Sequence, residues 1–508
     1  MTGAIVLPEV LLVAATLLAG WAALWPVRRD LGPVGYHLAA LPAGLLAWVF
    51  AAGVAVVTGW RYLPGAALTG AVLFAGAVWL AAGPTRGDGA RSGSPAVGAG
   101  SFAAAAAVYA TLTALFAASR LTVFTADSVN DYWPMAVLLE REGEFTAFMI
   151  SERSFLQVSA GAMKAALGGE WLFALYPLLA AVLVTSLVWV LWTTAPRTLS
   201  RTARIAVSGL PALFLLTEPS FLFYSLYVHA HMPSALYLLL ALAGLRLAVD
   251  PPHGRATGGA RGWLVVSGLS TAGLALTRPD GLAYAFVPIA VALALLLDGR
   301  RGANDSAAFF GPLLLTVLGA YAGAYATLGM WEADKLDGRT TAAILAVMVA
   351  SAAVPWLVRR TGVGERLGLD RDRVLLGETL ALAAIVLAAF ALRWDAMSLA
   401  ARNLAANLFA TGGYGPLWYL VVAALLATVV AGYALRRDTW GRALFLSIVL
   451  FAFTASLVHG TGHVGRLGWG DSANRVLFHV VPVIVYYVAE VCAHILARDN
   501  RSTERSAS

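Results

Sequence analysis

Apolar stretches of about 18 to 24 residues recur along the whole chain, separated by short polar segments rich in Arg, Gly and Pro. A stretch of that length crosses a bilayer core of ~30 Å as a helix. Fifteen spans are predicted, near 4–25, 35–58, 64–83, 101–123, 171–194, 203–217, 230–249, 262–277, 281–298, 307–329, 340–358, 374–393, 416–435, 440–459 and 476–497. The fold class is therefore all-α, a polytopic transmembrane helical bundle. The longest segment between spans, 124–170, carries helical patterning of its own. PMAVLLEREG (134–143) and SFLQVSAGAMKAAL (154–167) mix apolar and polar positions at helical spacing, as short helices at the interface do.

The order of polar segments sets an orientation. With the N-terminus outside and the spans alternating, 23 of the 35 basic residues fall in inner segments. Every inner segment holds at least two, although the longest segment is an outer one. The tail after Arg498 then lies in the cytoplasm. The first apolar run lacks a positive stretch before it and is read as a retained helix.

Composition narrows the class. The chain is 60% hydrophobic and only 12% charged, against roughly a quarter charged in soluble domains. The net charge of +7 is dispersed in short arginine clusters between apolar runs, so it marks a membrane surface and not a nucleic-acid partner. The lone Cys492 excludes an internal disulfide and any Cys-rich metal site. The abundance of Ala, Gly and Arg over Ile, Asn and Lys points to a GC-rich bacterial genome, so the expected location is a bacterial plasma membrane.

Unusual polar residues gather on the outer side. TADSVNDYW (125–133) places Asp127 and Asp131 four residues apart, with Tyr132 beside them. On a helix the two carboxylates would share a face at about 5–6 Å between Cβ atoms. One would then have a raised pKa, as suits a general base for a hydroxyl. Helix capping by Asp127 and Ser128, or plain loop solvation, is the alternative. ALTRPDGLAYAF (275–286) puts Arg278 and Asp280 at the tip of a helical hairpin. There the arginine either awaits an anion or closes the turn with Asp280. GWGDSANRVLFH (468–479) places Asp471, Asn474 and Arg475 at the start of the last span. Two arginines aimed at one cavity would suit a phosphate through their planar donor forks. His229 and His231 form H-x-H at the end of another span, and would share a metal only if the backbone there were extended. His463 and His479 stand alone, and packing or hydrogen bonding accounts for each. Glu490 and His494, inside the last span, are read as an interhelix hydrogen-bond pair.

This order of motifs resembles the GT-C superfamily of integral-membrane glycosyltransferases. The resemblance rests on Asp127, Asp131 and Tyr132 on the first long outer loop, and on the two interfacial helices after them. TRPDG is similar to the TR-x-(D/E)-G tip of many bacterial members, and DSANR to their S-x-N-R. It covers 101–497, leaving 1–100 as additional N-terminal helices and 498–508 as a tail. The resemblance implies transfer of a sugar from a polyprenyl-phosphate donor to an acceptor hydroxyl on the outer face, with inversion at the anomeric carbon. The acceptor would be a glycan, a lipid or a protein. Asp127 or Asp131 would be the base, with Arg278 and Arg475 on the donor phosphate. Tyr132, Asp280, His229, His231, His463, Asp471 and Asn474 are further substrate-binding candidates. Relatives often have Asp-Glu at the first motif, where this chain has Asp127–Ser128, so no metal ligand is assigned and a divalent cation is left open. The segment 393–415 is the candidate for acceptor recognition. A polytopic transporter or lipid flippase is the alternative function, and it would place ionisable groups near the bilayer midplane.

The topology makes a direct prediction. In a Cys492→Ser background, Ala126→Cys reacts with a membrane-impermeant maleimide in intact cells. Ala256→Cys reacts only after permeabilisation. The reverse pattern would invert the orientation.

Overall fold

Backbone amides inside hydrocarbon have no water to bond, so a spanning segment closes its hydrogen bonds within itself. The computed structural model follows that rule. It describes residues 2–83, 98–119, 131–143, 155–172, 174–227, 229–249, 259–297, 303–328, 338–411, 416–434, 439–462, 467 and 472–507, which contain no strand. The chain opens with α1 (Thr2–Leu24), α2 (Arg28–Thr58), α3 (Ala67–Ala82) and α4 (Ala99–Ser119). Two short helices follow, α5 (Trp133–Glu142) and α6 (Leu156–Ala166). Next come α7 (Leu175–Thr194), α8 (Arg201–Thr217), α9 (Pro219–Leu226), α10 (His231–Val249) and α11 (Ala260–Thr277). A one-turn piece, Gly281–Tyr284, leads into α12 (Phe286–Leu296), followed by α13 (Ala303–Leu328), α14 (Gly338–Thr361) and α15 (Arg371–Leu392). The rest is α16 (Trp394–Ala406), α17 (Leu417–Ala434), α18 (Thr439–Gly462), α19 (Ser472–Leu477) and α20 (Val481–Ala507).

Among the described residues eight helical segments are long and apolar enough to cross a membrane, or nine if the bent pair α8–α9 counts as one span. One of the eight, Val6–Thr58, contains both α1 and α2. Shorter apolar helices occupy other predicted spans, α3 and α17 among them. A polytopic helical bundle is thus the fold. Its layers differ in exposure. The apolar window of α10 is 100% buried, whereas that of α15 is only 6% buried. Leu380, Ile385 and Leu387 of α15 face outward, as lipid-contacting side chains do. The buried centre is α11, packed against α10, α13 and α2.

Close packing relies on small residues. A side chain at Gly20 would strike the Ala40 carbonyl, and one at Gly44 would strike the Thr16 carbonyl. The α1 and α2 backbones therefore touch at both points, as small residues permit between membrane helices. Polar contacts sort by end. The Tyr62 hydroxyl donates to the carbonyls of Trp48 (2.8 Å) and Ser159 (3.1 Å), joining the start of α3 to α6. At the opposite end Arg359 donates to the Leu296 carbonyl (2.9 Å) and Arg442 to Asp372 (2.6 Å). Each contact joins segments that the alternation of spans assigns to one side.

The expected interfacial helices are present as α5 and α6, but α6 does not lie on a surface. Leu156 to Lys164 are all buried, because α6 is enclosed by α5 and α2. Lys164 there forms an ion pair with Glu9 of α1, both fully shielded. Burial pulls the Lys164 ammonium below its ordinary range, against the opposing pull of Glu9. The candidate acceptor segment 393–415 is also more ordered than a loop. It forms α16 and a wide turn over Asn407–Thr411, and residues 412–415 lie outside the described residues.

Toward the end of the bundle that carries Arg359 and Arg442, Glu490 of α20 accepts from Arg246 of α10 (3.3 Å) and Thr194 of α7 (3.4 Å), with His494 at 3.8 Å. The interhelix role read for Glu490 is met by a cation on another helix.

The Glu9–Lys164 pair gives a stability test. Glu9→Gln alone leaves a buried ammonium without its counter-charge and costs about 3–5 kcal/mol. Glu9→Leu with Lys164→Met removes both charges and restores most of that loss. Thermal unfolding of the detergent-solubilised protein reads the difference.

Candidate functional site

Four breaks in helical structure meet at the end of the bundle that carries Tyr62 and Ser159. The first is the start of α5. Asp131 and Tyr132 form a wide turn there, and Pro134 sits in the first helical turn, where it costs no hydrogen bond. Asp131 is half-buried and Tyr132 is buried.

The second break lies between α9 and α10. Glu218 caps α9 by accepting from the Phe221 amide (2.8 Å), at a bend of 71° from α8. The chain leaves α9 at Tyr227 in extended conformation and re-enters helix at His231. His229 and His231 therefore do not project from one helix on opposite sides. Their rings stack, with centroids 4.4 Å apart and planes at 6°. Tyr227 continues the stack against His229 at 5.3 Å, and Tyr132 meets His229 edge-on at 5.6 Å. The His229 Nδ1 accepts from the Ala230 amide (2.8 Å), so in the neutral ring the proton sits on Nε2.

The third break is the hairpin tip. Arg278 leaves α11 in extended conformation and donates to Asp280 through Nε (2.8 Å) and Nη2 (3.4 Å). The Tyr284 hydroxyl donates to the same carboxylate (2.9 Å). Burial alone would lower the Arg278 pKa. Asp280 and its hydrogen bonds, helped by Tyr284 and Tyr132, outweigh burial and raise it above the ordinary arginine value. The arginine side chain keeps 15% of its surface exposed, so the clasp still opens on solvent. Gly281 allows the tip to close, since a side chain there would strike the Leu274 carbonyl.

The fourth break is the α19–α20 junction. Arg475, on α19, is half-buried and donates through Nη1 to the Tyr227 hydroxyl (2.8 Å). Among the described residues it has no ion pair, and its buried Nε has no hydrogen-bond partner. One helical turn on, the His479 Nε2 lies 2.9 Å from the His231 Nδ1. The electrostatic fields of His229, His479, Arg278 and Arg475 all reach His231.

The structure thus gathers Tyr132, His229, His231, Arg278, Asp280 and Arg475, with Asp131 next to Tyr132 in the chain. Asp127, His463 and Asp471 lie outside the described residues, and Asn474 is on α19 with its side chain outside them. Among the described residues no three metal-ligating side chains are grouped to hold an ion. Three members were missed in the sequence. His479 read as a solitary residue, and only tertiary packing pairs it with His231. Tyr227 gave no signal. Tyr284 lies four residues after Asp280, a spacing that brings both to one face once the tip is seen as the start of a helix.

No family model matches the sequence, and no curated protein matches it. Among solved structures, the chain is similar to the crystal structure of the Archaeoglobus fulgidus oligosaccharyltransferase complex with Zn and sulfate. The TM-score is 0.39 and the identity 19%. The match covers 68% of this chain and 41% of that one.

The tip has a sharp steric requirement. Gly281→Ala forces its methyl onto backbone carbonyls that cannot rotate away, and lowers stability by about 1–3 kcal/mol. Thermal unfolding beside an alanine substitution at exposed Gly377, which meets nothing within 4 Å, isolates the effect.

Proposed function

We propose that the protein is a membrane-embedded glycosyltransferase, and that the end of the bundle bearing the four helix breaks faces outward. It moves a sugar from a polyprenyl-phosphate donor to an acceptor hydroxyl. The observation that carries this reading is the environment of Arg475. This half-buried cation is met by a neutral phenol and no carboxylate among the described residues. It sits with a second arginine in a wall of tyrosine and histidine rings. Taking a charge out of water is costly unless an anion is bound there for part of the cycle. The motifs at 125–133, 275–286 and 468–479 add the sequence resemblance to that chemistry.

The roles follow from charge movement. As the acceptor oxygen attacks the anomeric carbon, its proton passes to a carboxylate, Asp127 or Asp131. The bond from the anomeric carbon to the phosphate oxygen breaks, and its electron pair leaves with the lipid phosphate. Arg475 takes the growing negative charge directly. Arg278 contributes its free donors, while Asp280 and Tyr284 fix its orientation. Donors held in place before the reaction stabilise such charge without reorganising. Arg475 ranks above Arg278, because Asp280 already compensates Arg278 and nothing described compensates Arg475. Helices within 1–100 serve as support in this scheme, and 101–497 as the catalytic core.

Binding and turnover separate the roles. Arg475→Gln weakens binding of a short-chain polyprenyl phosphate about tenfold to a hundredfold, the loss of one charge-assisted bond of ~1.5–3 kcal/mol. Arg278→Gln weakens it less, and Arg278→Lys recovers part of the effect. Asp127→Asn and Asp131→Asn are assayed for transfer from a polyprenyl-phosphate sugar, and at least one loses turnover while binding the lipid normally. Full turnover in both aspartate variants, or unchanged lipid affinity in a folded Arg475→Gln protein, would refute the assignment.

A further inference from the structure

A cavity opens away from the candidate site. It has a volume of about 430 Å³ and lies between the last turns of α2, the first half of α3 and the later half of α13. Its walls are nearly all apolar, with Phe50, Val57, Leu73 and Phe155 the bulky members. Room is made by small residues. A side chain at Gly53 or Gly323 would meet nothing within 4 Å. None of the candidate-site residues lines it. Val57 and Leu73 are 66% and 53% exposed, so the cavity opens sideways through surface that faces lipid.

Its rim is differently built. Thr58 and Trp60 line the end nearest the interface, and Trp60 is half-exposed. The next residue, Arg61, is exposed, with no hydrogen bond or ion pair among the described residues. An apolar slot in a spanning region, with a tryptophan at its rim and an exposed arginine next to it in the chain, matches a molecule with a hydrocarbon tail and an anionic head.

We propose that this cavity holds one acyl chain of a bilayer phospholipid, with the headgroup phosphate on Arg61. The tail is hydrocarbon because its walls offer no hydrogen-bonding partner deeper than Thr58 and Thr69. The head is anionic because Arg61, an exposed cation, directly follows the rim residue Trp60 in the chain. Occupancy has a structural consequence. Phe155 stands just before α6 and meets Tyr321 of α13 edge-on at 5.0 Å. The helix that follows it packs on α5, which carries Tyr132 at its start. A bound chain therefore supports the pair of helices behind the candidate site. The proposal does not depend on the reading of that site.

The test uses the full-length protein in vesicles of phosphatidylcholine and phosphatidylglycerol, doped with a phosphatidylglycerol bearing a diazirine on its acyl chain. After photolysis, labelled peptides are mapped. Label concentrates on segments 49–58 and 319–324, above the level on lipid-facing α15. Gly53→Leu with Gly323→Leu fills the cavity and lowers that label about tenfold, since several methylenes lose their burial. Label on α15 stays the same, and the melting temperature does not fall. Leu73→Trp blocks the mouth from the exposed side and carries the same expectation should the double variant fold poorly. Arg61→Gln lowers label severalfold with the anionic probe and little with a phosphatidylcholine probe. Equal labelling of wild type and both filled variants overturns the proposal. So does displacement of the probe by excess polyprenyl phosphate, which would make the cavity a donor site.

Discussion

A helix that crosses a bilayer spends all its backbone hydrogen bonds on itself, and this constraint orders the rest of the molecule. Irregular backbone is confined to places where a helix starts, stops or breaks. The candidate site is made of four such places. The break between α9 and α10, with Tyr227 extended, turns two histidines into a stacked pair. The tip after α11 holds Arg278 against Asp280. The junction before α20 delivers Arg475 and His479. The first turn of α5 adds Asp131 and Tyr132. Between these ends the helices provide spacing and rigidity.

The helices must then be held in register, or the four ends would not meet. Two contacts do this for α10 and α20. His231 and His479 touch at one end, and Arg246 and Glu490 at the other. Ion pairs inside a bundle contribute little net stability once desolvation is counted, yet a mispaired one is costly. A cation and a carboxylate that must find each other favour one sliding position over its neighbours. Glu9 and Lys164 act in the same way between α1 and α6. The N-terminal helices are thereby tied to the pair that carries Tyr132.

The arginines of the site show how neighbours change the meaning of a residue. Arg278 and Arg475 look alike in sequence, each at the end of a predicted span near an acid. Folded, Arg278 is held by Asp280, and Arg475 meets a tyrosine hydroxyl. The first is a clasped cation that still shows part of its fork. The second has a tyrosine hydroxyl and no carboxylate beside it among the described residues. Under the proposed function, the anion placed against it is a lipid phosphate, whose head and hydrocarbon tail arrive together at a membrane surface.

Much of the architecture was legible in the chain itself. The apolar runs required a helical bundle, because no other open structure satisfies its backbone in lipid. The arginine distribution gave a consistent sidedness, and contacts such as Tyr62 with Ser159 pair segments assigned to one side. The helices after Pro134 and Ser154 were also readable, since their periodicity is local. What lay beyond the sequence were relations between residues far apart in it. His231 and His479 are separated by 248 positions, and so are Arg475 and Tyr227. The burial of α6, the ordering of 394–411 into a helix and turn, and the unequal compensation of the two arginines depend on which surfaces pack together. Periodicity reports the face a helix will bury. Only side-chain packing between whole helices decides which partner it is buried against.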